Sequence, residues 1–340
     1  MTTFLQRIID GFQNGAIYSV VAIPMVLIFK ATTLINFAQG ELAMIGAFFG
    51  FIFATQVFGL NVWLAAIIAM ALAAALGMGI ERSLLRPFDP TDHLPVVLIT
   101  LGIFYIINAV GGDIWNYQAQ INPPNLLHEM PDLGFWDIGV WMQDQTILFT
   151  SDTNPLGLRI QHDSIGLILS LLIMLGALYM ILEKTKMGLA FRAVSSNTES
   201  SRLVGIRVGR ILSFGWALAC AFGALGAILV APRITLQPNM MAPILIYALA
   251  AAAFGGLDNV YGAALGGFVV GLINSVVLGY ISDVRWLRAR LDSIGIEDAE
   301  FVEGLGSLTA APLIPPVILL LTVLWFRPTG LFGTKTIARV

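Results

Sequence analysis

Long apolar stretches separated by short polar ones dominate this chain. The runs lie at about 8–29, 36–57, 61–80, 94–112, 164–182, 211–231, 243–256, 259–281 and 311–326. Most reach the roughly 20 residues that a helix needs to cross a hydrocarbon core of about 30 Å. The ten-residue alternating segments of a membrane β-barrel are absent, so the predicted spans are helices, which satisfy their own backbone groups. The expected fold class is all-α: a polytopic transmembrane helical bundle of about 8–10 membrane segments, one domain over residues 1–340. The seventh and ninth runs are short. Pro24, Pro243, Pro315 and Pro316 are expected to break helices inside the bilayer, so broken or re-entrant helices belong to the expectation.

Composition agrees with the pattern. Hydrophobic residues make up 57% of the 340 and charged residues 11%, with a mean hydropathy of +0.84. Soluble domains carry about a quarter charged residues. The net charge of −3 adds little, because in a membrane protein charge is read by location. Cys220 is the single cysteine and lies in an apolar run, which excludes a disulfide framework. The N-terminus lacks a basic leader and a small-residue cleavage site, so the first run is expected to be a retained span.

One polar island interrupts the apolar pattern, at residues 183–210. It holds six Lys/Arg (Lys184, Lys186, Arg192, Arg202, Arg207 and Arg210) against Glu183 and Glu199. Basic residues concentrate in cytoplasmic loops, so the island is placed on the inner side. With nine alternating spans, twelve of the 18 Lys/Arg fall inside and six outside, putting the N-terminus outside and the C-terminus in the cytoplasm. Segments 113–163 and 282–310 then face outward and carry thirteen of the 21 acidic residues. They read either as solvated loops anchored by aromatics such as Trp115, Trp136 and Trp141 or as a docking face for an extracytoplasmic partner.

Within the island, 188–194 is helix-patterned. Asn197 or Thr198 can cap a second short helix with Glu199 in its positive first turn. Leu203 and Val204 close that helix, and Gly205 suits its C-terminal turn. Two short amphipathic helices joined by a capped turn form a knob for a cytoplasmic partner. The plainer reading is a basic loop held by anionic lipid headgroups.

Elsewhere, Glu41 is the acidic residue set well inside an apolar run, in Asn36-Phe37-Ala38-Gln39-Gly40-Glu41. A charge at mid-bilayer costs about 2.5–3.5 kcal/mol on insertion scales and usually faces a wet cavity or a bundle interior. Pathway or gate, structural hydrogen bonding and, more weakly, a proton relay are open for it. Tyr18, Ser19, Thr100, Asn108 and Asn274 could line a polar path or bond neighbouring helices. Gly255, Gly256, Gly262, Gly266 and Gly267 are expected to mark close helix packing, the other reading being a glycine-lined substrate lane. A short similarity between 36–46 and 259–266 is too short to weigh as an internal repeat.

Covalent catalysis is not indicated. The Gly330–Lys335 stretch has the wrong spacing for a phosphate loop, and no HExxH or GxSxG motif occurs. His93, His128 and His162 are scattered, so no metal site is expected.

Three groups of residues resemble one family. They are Asn14-Gly15-Ala16-Ile17-Tyr18-Ser19 leading to Asn36-Phe37-Ala38-Gln39-Gly40-Glu41; Gly188, Arg192, Ala193, Asn197, Glu199, Leu203, Gly205 and Ile206; and Phe254-Gly255-Gly256-Leu257 with Gly262 to Gly267 and Arg327 to Gly333. Together they resemble the permease subunits of branched-chain amino-acid uptake ABC transporters. The resemblance implies a bacterial inner-membrane importer subunit that forms half of a translocation pathway for branched-chain or other small amino acids. Urea or short-amide uptake is the nearest alternative, and a stand-alone secondary transporter the more distant one. It further implies ATPase coupling through the island, and a pathway or gate near Tyr18, Ser19, Asn36, Phe37, Gln39, Gly40, Glu41, Thr100 and Asn108. The implied partners are a second permease subunit, two cytoplasmic ATP-binding subunits carrying ATP and Mg, an extracytoplasmic solute-binding protein and membrane lipid. No nucleic acid, and no cofactor in this chain, is implied. The outer segments are longer than the family pattern, and Ser195, Ser196, Ser200 and Ser201 stand where it tends to alanine or charge.

Overall fold

A computed structural model describes residues 2–56, 58–88, 93–120, 123–129, 141–148, 157–281, 313–327 and 329–333. Six helices among these residues are long and apolar enough to cross a membrane. In chain order the described helices are α1 (Thr2–Thr32), α2 (Gln39–Phe51), α3 (Val62–Ile80), α4 (His93–Trp115), α5 (His162–Lys184), α6 (Lys186–Ser196), α7 (Thr198–Leu203), α8 (Val208–Ile234), α9 (Met241–Gly255), α10 (Val260–Ile281) and α11 (Ile314–Phe326). Turns of π-helix continue α2 over Ile52–Gln56 and α3 over Glu81–Leu85. An antiparallel pair, β1 (Gln145–Leu148) and β2 (Leu158–Gln161), stands before α5. The chain is therefore an all-α polytopic bundle. Of the outer segments expected at 113–163 and 282–310, the second and much of the first, Trp136 included, lie outside the described residues.

Two expectations are corrected. The second run is not a full span beginning at 36. Asn36 instead folds into a turn, its Oδ1 accepting from the Ala38 N–H at 3.0 Å, and helix starts only at Gln39. The prolines do not break helices in mid-course either. Pro24 sits inside the continuous helix α1, while Pro243, Pro315 and Pro316 occupy the first turns of α9 and α11. Proline is compatible with a first turn, where its missing N–H has no intrahelical partner to lose.

The bundle is built around two triplets, α1–α2–α3 and α8–α9–α10. The long α1 lies along α10, and α8 along α3. The short α2 packs on α8, as α9 packs on α1. Neighbours are thus exchanged between the triplets. Contacts pairing Ala31 with Gly215, Pro24 with Gly223 and Val20 with Gly226 run α1 antiparallel to α8, so the two triplets point in opposite directions. This is the inverted-repeat logic of many transporters. The similarity noted between 36–46 and 259–266 is not its trace, because α2 corresponds to α9 and not to α10.

Glycine makes the tightest seams. A methyl on Gly255 would lie 2.0 Å from the Gly262 carbonyl oxygen, and one on Gly266 2.1 Å from that of Ala251. Helices α9 and α10 therefore touch backbone to backbone, the association available to helices that have no hydrophobic drive between them in lipid. Gly267 faces Ser19 of α1 in the same way.

Candidate functional site

Both short helices begin after loops that turn back into the bundle. Gln39 and Gly40 open α2, Met241 opens α9, and a methyl on Gly40 would sit 3.3 Å from the Met241 Cβ. The two N-termini thus meet inside the protein. A helix N-terminus carries partial positive charge and free N–H groups, so their meeting creates a polar focus in an apolar core. Asn36 and Gln39 serve it: Asn36 Nδ2 donates to Gln39 Oε1 at 3.3 Å, and Gln39 Nε2 to the Ala219 carbonyl at 3.4 Å. Both are buried, whereas Phe37 is half-buried.

Glu41 lies in the first turn of α2 with a relative exposure of 0%. The Asn108 amide of α4 is beside its carboxylate, yet neither carboxylate oxygen, nor Asn108 Nδ2, completes a well-formed hydrogen bond. Asn108 Oδ1 accepts from Tyr117 Oη at 3.4 Å. The group is enclosed and under-satisfied, an arrangement that costs free energy and is kept where it serves a purpose.

Not every predicted residue joins this focus. Ser19 sits in the α1–α10 seam, donating at 2.6 Å to the Ala264 carbonyl and lying within hydrogen-bonding distance of the Gly15 carbonyl. Tyr18 stacks on Tyr247, with centroids 4.4 Å apart, and accepts from Asn274 Nδ2 at 3.5 Å. Thr100 is buried with its hydroxyl on the Val97 carbonyl of its own helix.

The island is a second site, at the end of the bundle where α5 finishes and α8 begins. Thr185 caps α6 by accepting from the Gly188 N–H at 3.0 Å. Gly188 is required there, since a methyl would meet the Ile181 and Leu182 carbonyls at 2.3 Å. Asn197 caps α7, its Oδ1 accepting from the Ser200 N–H at 2.8 Å. Gly205 ends that helix with φ +83°. Phe191 (1% exposed) inserts beside Gly215 of α8 and Val194 is buried with it. Arg192 pairs with Glu183 of α5. By contrast Leu203 and Val204 are 90% and 78% exposed. Apolar side chains are thus presented on a knob that is anchored to α5 and α8 at its base, with Met187 and Leu189 of α6 also exposed. Glu199 is in the first turn of α7, Ala193 and Ile206 are half-buried, and Gly256 takes φ +110° at the end of α9.

Two features escape a reading of the sequence. Glu81 is buried (3% exposed) at the end of α3, held by Arg86 at 2.7 Å and by Ser213 of α8. Arg86 also donates to the Gly209 carbonyl at 2.8 Å, so this pair ties α3 to the start of α8 beside the island. The only local signal for it is the Glu81–Arg86 spacing. The second is the tail: Leu331 and Phe332 donate backbone N–H groups to the carbonyls of Phe254 and Gly255 at 2.9 and 3.1 Å. The glycine-bearing segments 254–257 and 329–333 therefore complete one another, the tail satisfying the carbonyls that end α9.

Apolar spans, two opposed helix triplets with inward-meeting short helices, and an anchored basic knob describe a membrane transport subunit. The family described as the branched-chain amino acid transport system permease component matches residues 7–292, and the chain belongs to it. It is 25% identical over 288 residues to the high-affinity branched-chain amino acid transport system permease protein LivH of Escherichia coli (strain K12), covering 82% of this chain and 87% of that protein. BraD of Pseudomonas aeruginosa, with the same description, is 24% identical over 346 residues, 99% of this chain and 98% of that one. The probable branched-chain amino acid transport permease protein LivH of Methanocaldococcus jannaschii is 25% identical over 328 residues, 94% and 91%. The chain is a permease subunit of an amino-acid importer, a multi-pass inner-membrane protein and one component of a multi-subunit ABC transporter.

Proposed function

We propose that the chain forms half of the translocation pathway of an ATP-driven importer of branched-chain or other small amino acids, as a single permease domain over residues 1–340. It pairs with a second, homologous permease subunit. Two cytoplasmic ATP-binding subunits supply ATP and Mg chemistry, and an extracytoplasmic binding protein delivers the solute. The chain itself carries no cofactor and catalyses no covalent step. Its N-terminus lies outside and its C-terminus in the cytoplasm, as the distribution of Lys and Arg supports.

The observation that carries the reading is the knob at 183–210, anchored through Phe191 and Arg192 while Leu203 and Val204 stand bare. Closure of the ATP-binding subunits moves the knob as a rigid piece. Because α5 enters it and α8 leaves it, the displacement reaches both helices directly, and the Glu81–Arg86–Ser213 contact hands it on to α3. Helices α8 and α1 flank the inward-meeting N-termini of α2 and α9, so their tilting opens or closes the polar focus around Gln39 and Glu41.

Reconstitution tests this. Vesicles holding the chain with its permease and ATP-binding partners and binding protein are expected to accumulate leucine in an ATP-dependent manner, and vesicles holding the chain alone to accumulate none. Accumulation of urea but not leucine would reassign the cargo, and uptake by the lone chain would overturn the reading. Glu41→Gln is expected to melt at or above the parent temperature, because it replaces an enclosed carboxyl group whose hydrogen bonding is incomplete, while lowering uptake at least ten-fold. A lowered melting temperature with uptake falling in proportion would make Glu41 structural.

A further inference from the structure

At the opposite end of the bundle from the knob, α1, α5, α8 and residues 141–144 enclose a cleft of about 630 Å³, within the range of about 300–1,000 Å³ common to small-molecule sites. Helix α5 connects the two ends: His162 and Asp163 open it at the cleft, and Lys184 closes it at the knob, about 34 Å away at 1.5 Å per residue.

An opposite-charge pair stands in the wall. Arg233 Nη2 lies 2.8 Å from Asp163 Oδ2, the two side chains being 14% and 19% exposed. Arg233 Nη1 also reaches Ser164 Oγ at 3.2 Å. Neither partner is used up. Asp163 Oδ1 and Arg233 Nε complete no hydrogen bond, and His128 Nε2, at 3.9 Å from Asp163 Oδ1, is beyond hydrogen-bonding reach. Enclosed charged atoms with spare capacity are costly unless something fills it. The rest of the lining is of two kinds: polar Gln13 and Asn14 from α1 with His128, Gln143, Asp144 and Gln161, and apolar Ile17, Met142, Pro232 and Ile234. A donor-rich cation, a carboxylate with a free oxygen and an aliphatic wall thus share one cleft.

We infer that this cleft holds an aliphatic amino acid as its zwitterion, between delivery by the binding protein and entry into the bundle. The ammonium group goes to Asp163 Oδ1, the carboxylate to Arg233, and the branched side chain to Ile17, Met142, Pro232 and Ile234. The inference rests on the reading of the chain as an amino-acid permease and deepens it by naming where the solute is recognised in this chain. A neutral solute such as urea has no use for charges of both signs beside apolar side chains.

The test is saturation-transfer NMR on the assembled transporter in lipid nanodiscs without binding protein. The probes are leucine, isopentylamine (leucine without its carboxylate) and 4-methylpentanoate (leucine without its amine). Leucine is expected to give a saturable signal at least five-fold above either analogue, and to lose at least five-fold in D163N, in R233Q and in the double variant D163N/R233Q. The double variant removes both charges together, so a pair that merely ties α5 to α8 would leave its leucine signal at the parent level, which overturns the inference. Equal signals from leucine and an analogue also overturn it. Co-elution of all subunits and unchanged basal ATPase activity report assembly. Should the charge variants fail to assemble, Gln143→Trp narrows the exposed rim without touching the pair. It is expected to lower the leucine signal, and an unchanged signal counts against the site. Failure of the parent complex to take up leucine strikes the proposed function instead, whereas leucine uptake that persists in D163N/R233Q without leucine binding strikes this site alone.

Discussion

Replacing Leu203 and Val204 together by aspartate is expected to reduce ATP-driven uptake at least ten-fold while leaving the permease folded and inserted. The two side chains are the most exposed large apolar groups of the island, at 90% and 78%. Burying a Leu or Val side chain is worth about 1.5–3 kcal/mol, and each 1.4 kcal/mol is a factor of about ten in an equilibrium. Losing even half of both contributions weakens the docking of an ATP-binding subunit by well over ten-fold, before the cost of desolvating two new carboxylates. The knob's own fold does not depend on them. Its buried anchors are Phe191, Val194 and Ser201, and its caps are Thr185 and Asn197. Detergent-solubilised variant should therefore elute as the parent does, but retain little ATP-binding subunit in co-purification. Retained co-purification with normal uptake would show that the exposed pair contacts nothing essential.

The second large effect concerns the α9–α10 seam. Gly266→Ala adds one methyl, which would lie 2.1 Å from the Ala251 carbonyl oxygen and 3.0 Å from the Gly255 nitrogen. Overpacking usually costs about 1–3 kcal/mol. Here the obstacle is backbone on a partner helix, which cannot rotate away as a side chain can, so a loss of about 3 kcal/mol or more is expected. Gly102→Ala and Gly176→Ala provide the contrast, since a methyl at either site meets nothing within 4 Å. Alanine is the better helix former by up to about 1 kcal/mol, and these two variants should melt at or slightly above the parent. Thermal melts in one detergent, read side by side, check all three. Equal melting of G266A and G102A would remove close backbone packing as the basis of the seam.

Hydropathy alone located the spans of this fold to within a few residues, because a helix in lipid must be apolar along its whole length and little else competes for such a segment. Local chemistry was equally readable where it acts over three or four residues: Asn197 caps α7 and Gly205 turns out of it, both from positions a reader can count. Helix α2 was harder, because a polar residue ahead of an apolar run can either enter the helix or fold back to cap it. Asn36 does the second. Pro24 misleads for a related reason. Its missing N–H and bulky ring disturb an isolated helix, but in α1 it lies against Gly223 of α8, where neighbouring helices accommodate it. What stayed illegible is everything that depends on residues far apart in the chain. The meeting of Gly40 with Met241, the pairing of Asp163 with Arg233 and the docking of the tail on α9 each join segments separated by dozens of residues or more. No periodicity announces such contacts.

The central claim is that residues 183–210 are where a separate ATP-hydrolysing subunit drives this chain. A photo-crosslinking amino acid at position 204, in the assembled transporter within native membranes, tests it most directly. The account predicts one dominant adduct between this chain and the ATP-binding subunit, with a yield that changes when ATP and Mg are added. Adducts to lipid alone, with or without nucleotide, would contradict it and leave the island as a basic loop resting on headgroups.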